Sequence, residues 1–471
     1  MRFISVDQGT TSTRSLVLEP GQPARIALAL THGTRYPHAG WVEHDPLELL
    51  ENVRRCLDAA GPAVAAGLAN QGESCLAWDR VTGEPLSPVI VWQDNRTADT
   101  VARLQAQGAQ VLTLARAGLP LDSYFSASKL AWLLDNVPAV QAARRAGRLQ
   151  LGTTDAFFLR NLTGTSITDV TTAARTSLMN LATGQWDETL CQLFGVPMEC
   201  LPPIGPSRGG FGDAGGTPVQ ASIVDQQAAL FGHGCHRPGQ AKFTFGTGAF
   251  ALVNTGQESL RDTESGLLPT VAWQIAGAPI QYALDGGVHS AGAAIEWARS
   301  LRLFDAEEEI NAFGSSTALS RGLVFVPALT GLACPHWDRN AGALWLGMTP
   351  ATSRRELMQA TLEGIALRAA EVMAAMNTHI ALDGMLRVDG GLAKNPYFCQ
   401  FLCDTLQRPI RVPVFRDMTA LGAARLAGLD LAGDPHHEEG LTYMPVCSPA
   451  EAAARTVRFG EAMAFSRGWH R

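Results

Sequence analysis

Phe3-Ile-Ser-Val-Asp-Gln-Gly-Thr-Thr-Ser-Thr-Arg14 sets an apolar run, a carboxylate, a glycine and four successive hydroxyls into twelve positions. Phe3 to Val6 reads as a strand entering a core, and Val17 and Leu18 resume an apolar strand after the turn. Gly9 gives the backbone freedom between the two, and the NH groups and hydroxyls that follow can cradle an anion. An Asp at the mouth of such a hairpin, Asp7, is placed to hold Mg²⁺ through water while the turn holds phosphate oxygens. Taken alone, the segment reads equally well as a hydroxyl-rich turn with an Asp cap.

Composition narrows the choice. With 471 residues, 46% hydrophobic and 17% charged, the chain has material for two domains. A formal charge of −7 gives no support for a nucleic-acid partner, and no basic cluster points to an anionic membrane. There is no apolar stretch of bilayer-spanning length, and Met1 leads straight into the first strand, so a cytoplasmic location without a signal peptide is expected. The nine cysteines form no Cys-x-x-Cys pair. Cys399 and Cys403, one helical turn apart, lack clustered partners and read as buried, reduced thiols. Only Lys129, Lys242 and Lys394 stand against 34 arginines, and no Gly-Lys dipeptide exists, which excludes a Walker A loop.

Further along, strand and helix patterns alternate. Val64 to Ala69 and Pro88 to Trp92 read as strands, Ser126 to Asn136 and Arg354 to Met376 as helices, and Leu201 to Pro218 as a surface connection. Arg261 to Leu268 and Asp434 to Met444, the latter with His436 and His437, read as loops. Lys242-Phe-Thr-Phe-Gly-Thr-Gly-Ala-Phe250 repeats the strand-into-glycine-turn logic of the first segment. Gly246, Gly248 and Ala251 also fit a loose dinucleotide pattern, but that pattern needs a helix next, and Phe250 to Asn254 is β-prone. A third glycine turn, Val388 to Pro396, suits close backbone approach to a flat group such as adenosine, with a helix starting near Asn395. Three such turns describe an α/β fold of two RNase H-like domains (actin, hexokinase and Hsp70 ATPase type) with ATP in the cleft. The expected domains are 1–233, with the first phosphate loop, and 234–471, with the second loop and the adenosine site.

Between the loops lie groups suited to a small hydroxylated substrate: Glu73 after Asn-Gln-Gly, Trp92 at an apolar strand end, and Asp225 ahead of a helix predicted over 228–232. Phosphoryl transfer to an alcohol needs a base for the hydroxyl proton, and Asp225 is the candidate. Without further context an Asp there reads more readily as the helix cap.

The ordered set Asp7 to Arg14, Trp41 to Pro46, Ile90 to Gln93, Gly118 to Ser126, Asp225 to Gly232 and Phe325 to Leu332 resembles the FGGY carbohydrate kinases, with longer signatures at Tyr124 to Asn136 and Ala343 to Glu363. The resemblance covers nearly the whole chain and is strongest to the glycerol-phosphorylating branch. It implies ATP-dependent phosphorylation of a terminal hydroxyl of glycerol or a related polyol, with Mg²⁺, and a homodimer or larger homo-oligomer. It places Asp7 near Mg²⁺. Thr10, Thr11, Ser12 and Arg14 would contact phosphates from the first domain and Thr247 from the second, while Gly292, Gly391 and Asn395 would line the adenosine part. Asp225 would be the base, Gln226, Glu73 and Tyr124 would bind substrate hydroxyls, and Trp92 and Phe250 would clamp the carbon chain.

Two positions depart from the pattern. Gly72 stands where that branch carries an arginine expected to bind substrate; an unreplaced charged donor is worth about 1.5–3 kcal/mol, roughly ten- to a hundred-fold in affinity. The vacated volume could admit a longer polyol or a ketose, so erythritol, xylulose and ribulose join glycerol as expected acceptors. Glu296 replaces a frequent Gln and would put an acid near the base or ribose. An actin- or Hsp70-like ATPase with protein partners would share the loops but would not need the ordered substrate groups.

Overall fold

The computed structural model describes residues 1–261, 265–428 and 440–469, so residues 262–264 and the pair His436 and His437 lie outside the described residues. Two mixed sheets dominate. The first is built from β1 (Phe3–Gln8), β2 (Ser12–Leu18), β3 (Arg25–Thr31), β4 (Ala65–Asn70) and β5 (Val219–Val224), in the order β5-β4-β1-β2-β3. β1 buries Phe3, Ile4 and Val6, pairs antiparallel with β2 and runs parallel to β4. After β5 the chain enters helix α1 (Asp225–Gly232).

The second sheet comprises β6 (Ala241–Phe245), β7 (Ala249–Gly256), β8 (Leu268–Trp273), β9 (Gln281–Val288), β10 (Leu386–Gly390), β11 (Ile410–Pro413) and β12 (Gly440–Tyr443), ordered β8-β9-β7-β6-β10-β11-β12. Around it lie helices α2 (Gly292–Ser300), α3 (Arg354–His379), α4 (Pro396–Leu406) and α5 (Met418–Leu426). Phe243 and Phe245 stack at 4.6 Å between ring centroids, and Phe398 meets Phe245 edge-on at 4.9 Å, which anchors β6 from behind.

Helices α1 and α5 cross with their backbones almost touching. A Cβ built on Gly422 would sit 1.8 Å from the Ala228 carbonyl oxygen, and one on Gly232 would sit 2.2 Å from that of Met418, so both positions require glycine. One hydrophobic cluster joins Phe3 and Leu16 of the first sheet, Leu252 and Ala283 of the second, and Leu421 of α5.

Three sequence expectations are adjusted. The strand expected over 88–92 is confined to Val89–Ile90; past it the Val91 NH donates to the Val42 carbonyl at 3.0 Å and the Trp92 NH turns to Ser74 Oγ. The helix expected over 228–232 begins at Asp225. Gly440–Tyr443, within a stretch read as a loop, is the edge strand β12, because β11 supplies its partner. The β-prone reading after Gly248 is borne out by β7. Eight of the nine cysteines are buried.

Candidate active site

Strand register explains why distant residues meet. β1, β4 and β5 are parallel, with Gln8 opposite Asn70 and Asn70 opposite Val224. Gly9-Thr10, Gln71 to Glu73 and Asp225-Gln226 therefore leave the sheet from one edge, where ligands of open α/β sheets gather. Glu73 turns there with φ 59°, a left-handed conformation uncommon for a non-glycine residue. Ser126 Oγ donates to its carbonyl at 2.9 Å. In the second sheet, β6 and β10 are parallel with Phe245 opposite Gly390, so Gly246-Thr247-Gly248 and Gly391 share an edge as well.

A cavity with about 160 Å³ of water-accessible space is lined by Thr10, Glu73, Trp92, Tyr124, Asp225, Gln226 and Phe250, joining every substrate-side residue expected from sequence. Trp92 Nε1 donates to Thr10 Oγ1 at 3.0 Å, tying the apolar wall to the first phosphate turn. The Trp92 and Tyr124 rings meet edge-on at 5.6 Å. Asp225 is not the cap of α1: Val224 holds that position, and among the described residues Asp225 Oδ1 accepts only from the NH of Gln226, at 2.7 Å. Burial and the neighbouring Glu73 raise the Asp225 pKa to about 6, against the Gln226 NH, Lys242 and Arg175, which lower it.

Sequence reading missed the cations that balance this pocket. Arg175, just past a short helix over 170–173, is 4% exposed. Its Nε donates to Glu73 Oε1 at 2.6 Å, and its Nη1 lies 3.2 Å from Asp285 Oδ2 of β9. Burial opposes the guanidinium's charge, but Glu73 and Asp285 outweigh it. Burial pushes the Glu73 and Asp285 carboxyls upward, with Arg175 opposing in each case. Lys242, fully buried at the start of the second loop strand, donates to Gln226 Oε1 and, at 3.0 Å, to Thr244 Oγ1. Its scarcity in the chain was the one signal that could have singled it out.

Gly72 also lines the cavity. A Cβ there would meet Val224 Cγ1 at 3.1 Å and Arg175 Cγ at 3.9 Å, so the side facing Gly72 is occupied by Val224 and the Arg175 stem.

The nucleotide-side residues lie around the two turns. Gly9 NH donates to the Ser12 carbonyl at 3.0 Å, closing the first turn with Thr11 exposed. Arg14 pairs with Asp417 at 2.7 Å, and its Nη2 lies 3.4 Å from Ser12 Oγ. Thr247 is exposed, and the NH of Ala293, in the first turn of α2, donates to its carbonyl at 2.9 Å. Gly292 NH donates to the Gly246 carbonyl at 2.9 Å; a Cβ on Gly292 would sit 2.5 Å from that oxygen, so α2 presses on the second turn. Glu296 is exposed on α2, and Gly391 is exposed beside the short helix over 392–394. The Asn395 amide caps α4, with Oδ1 accepting from Phe398 NH at 2.8 Å and Nδ2 donating to the Ile310 carbonyl at 2.7 Å. Burial, then Asp225, then Asp417 raise the Asp7 carboxyl to about 7, with Arg14 opposing.

Known proteins resemble the chain over nearly its whole length. A glycerol kinase of Haloferax volcanii is 43% identical over 453 residues, covering 90% of this chain and 89% of the relative. The crystal structure of Plasmodium falciparum glycerol kinase with ADP superposes with a TM-score of 0.91 at 30% identity, covering 99% of this chain and 98% of the other. The ligand-bound xylulose kinase of Lactobacillus acidophilus, at 22% identity and a TM-score of 0.87 over 99% of each chain, shares the fold. Residues 2–232 match the N-terminal domain, and residues 241–431 the C-terminal domain, of one family. The chain belongs to the FGGY family of carbohydrate kinases.

Proposed function

We propose that this chain is an ATP-dependent glycerol kinase, transferring the γ-phosphoryl group of ATP to a terminal hydroxyl of glycerol. The observation that carries the reading is the single cavity in which Asp225, Gln226, Glu73, Trp92, Tyr124 and Phe250 meet beside Thr10 of the first phosphate turn. Asp225 accepts the hydroxyl proton as the new O–P bond forms and the bond to ADP breaks. Its pKa of about 6 leaves it ionised yet appreciably basic near neutral pH. Gln226, Glu73 and Tyr124 hold hydroxyls, and the faces of Trp92 and Phe250 exclude water from the carbon chain. Thr10, Thr11, Ser12, Arg14 and Thr247 contact phosphates, and Gly292, Glu296, Gly391 and Asn395 border the nucleoside. Residues 1–233 and 234–471 act as the two jaws, in a cytoplasmic homo-oligomer.

Mg²⁺ fits the donors present. Asp7 feels the charges of Asp225 and Asp417, with Arg14 as counter-charge; burial first, then those carboxylates, raise its pKa. Among the described residues no three His, Cys, Asp or Glu side chains could hold a metal ion by themselves; a nucleotide-borne Mg²⁺ needs only one or two carboxylates. Asp7 would hold it, and it would neutralise phosphate charge.

Arg175 supports glycerol despite Gly72, because a guanidinium already stands on Glu73 and its stem narrows the space beside Gly72. An ADP-release assay across glycerol, erythritol, xylulose and ribulose tests the reading. The highest kcat/KM is expected for glycerol; a clear preference for a ketose or longer polyol would overturn the substrate, and no acceptor-dependent ADP release would overturn the kinase.

A further inference from the structure

Phe250 and Asp285 of the second lobe line the cavity, and behind them the Lys242 ammonium reaches Gln226 of the first lobe. Lys242 is fully buried on β6. Its Nζ donates to Gln226 Oε1 of the first lobe, to Thr244 Oγ1 at 3.0 Å and to the Phe250 carbonyl at 3.4 Å. An ammonium has three donors and no lone pair, so the Gln226 atom facing it must be the carbonyl oxygen. That fixes the amide: Nε2 is the end left for the cavity that Gln226 lines. Among the described residues Gln226 Nε2 donates to no protein atom.

We propose that Lys242 is a positioning residue that locks Gln226 as a hydrogen-bond donor to an acceptor-substrate oxygen, so that the second lobe sets the polarity of the first lobe's substrate site. The inference rests on the kinase reading above and deepens it. It gives a role to a cation that is fully buried although exposed turns flank its strand on both sides. Asp225, Asp285 and Asp389 offset its charge while burial opposes it, so the site tolerates an ammonium only as part of this arrangement. It also predicts what Gln226 discriminates: an oxygen that can accept, which a hydroxyl, a ketone or an ether all offer, leaving hydroxyl donors to be recognised by the carboxylates of Glu73 and Asp225.

Steady-state kinetics of the full chain test this with Lys242→Met, Lys242→Arg and Gln226→Glu, using whichever acceptor the wild-type chain turns over best. Failure of glycerol as substrate therefore leaves the comparison intact. With Lys242→Met the acceptor KM should rise about tenfold while the ATP KM stays within about twofold, and Lys242→Arg should recover most of the loss. Gln226→Glu keeps an oxygen for Lys242 but has no NH₂, so it should raise the acceptor KM about as much as Lys242→Met. An unchanged acceptor KM in Gln226→Glu would overturn the donor assignment. Acceptor and ATP KM rising together in Lys242→Met, without recovery in Lys242→Arg, would reduce Lys242 to a structural role.

Discussion

Replacing Arg175 by methionine leaves a hole in the charge balance of the cavity that can be sized from the structure. The side chain is 5% exposed and holds Glu73 at 2.6 Å and Asp285 at 3.2 Å. Methionine keeps most of the stem but strands two buried carboxylates, and removing one partner of a buried pair costs about 3–5 kcal/mol. At about 2.1 cal/mol/K per residue, a chain of this length unfolds with an entropy near 1 kcal/mol/K, so the midpoint should drop by roughly 3–5 °C. The loss has a direction in pH. Burial already raises the Glu73 pKa, and Arg175 lowers it; without Arg175 it climbs further. A carboxyl whose folded pKa exceeds its unfolded value costs stability as pH rises through the interval between them. The deficit of Arg175→Met should thus be larger at pH 8 than at pH 5, and adding Glu73→Gln should restore at least part of it. Thermal unfolding of the two single variants and the double variant at both pH values makes the cycle. A drop under about 1 °C, a deficit equal at the two pH values, or a double variant no more stable than Arg175→Met would refute this account of the pocket.

Two further outcomes follow from the nucleotide side. Because the Asp7 pKa stands near 7, Asp7 should make Mg²⁺ binding to the ADP-loaded chain weaken by up to about tenfold per pH unit below 7, since the metal must displace a proton; Asp7→Asn should bind Mg²⁺ weakly and keep only the pH dependence that the ADP phosphate itself contributes, as a Mg²⁺ titration followed by calorimetry would show. Gly292→Ala puts a Cβ 2.5 Å from the Gly246 carbonyl oxygen, so it should raise the ATP KM by about tenfold or more while glycerol binding is kept, and equal effects on both substrates would contradict the placement of α2 against the second phosphate turn.

The first hairpin was legible because everything it needs is local: an apolar strand, a glycine turn and a second strand, found as β1 and β2. The β-prone run after Gly248 likewise separated a phosphate turn from a dinucleotide fold, since the element following the glycines is a strand. Arg175 left no such trace. Its partner Glu73 is 102 positions away, and the two meet only because β4 ends beside the helix over 170–173. Gly72 could not be weighed from sequence for the same reason. Sequence shows a missing side chain but not the Val224 and Arg175 atoms standing where it would begin. The edge strand β12 was unreadable until β11 supplied its ladder.

Asp225→Asn isolates the role of the base in phosphoryl transfer. The substitution keeps shape and the Oδ1 contact to the Gln226 NH but removes the base, a group that contributes about 10²–10⁴-fold to proton-transfer chemistry. With the base gone, kcat for glycerol should fall by at least about a hundredfold while ATP still binds. Turnover within about tenfold of wild type, with ATP and glycerol bound normally, would contradict it.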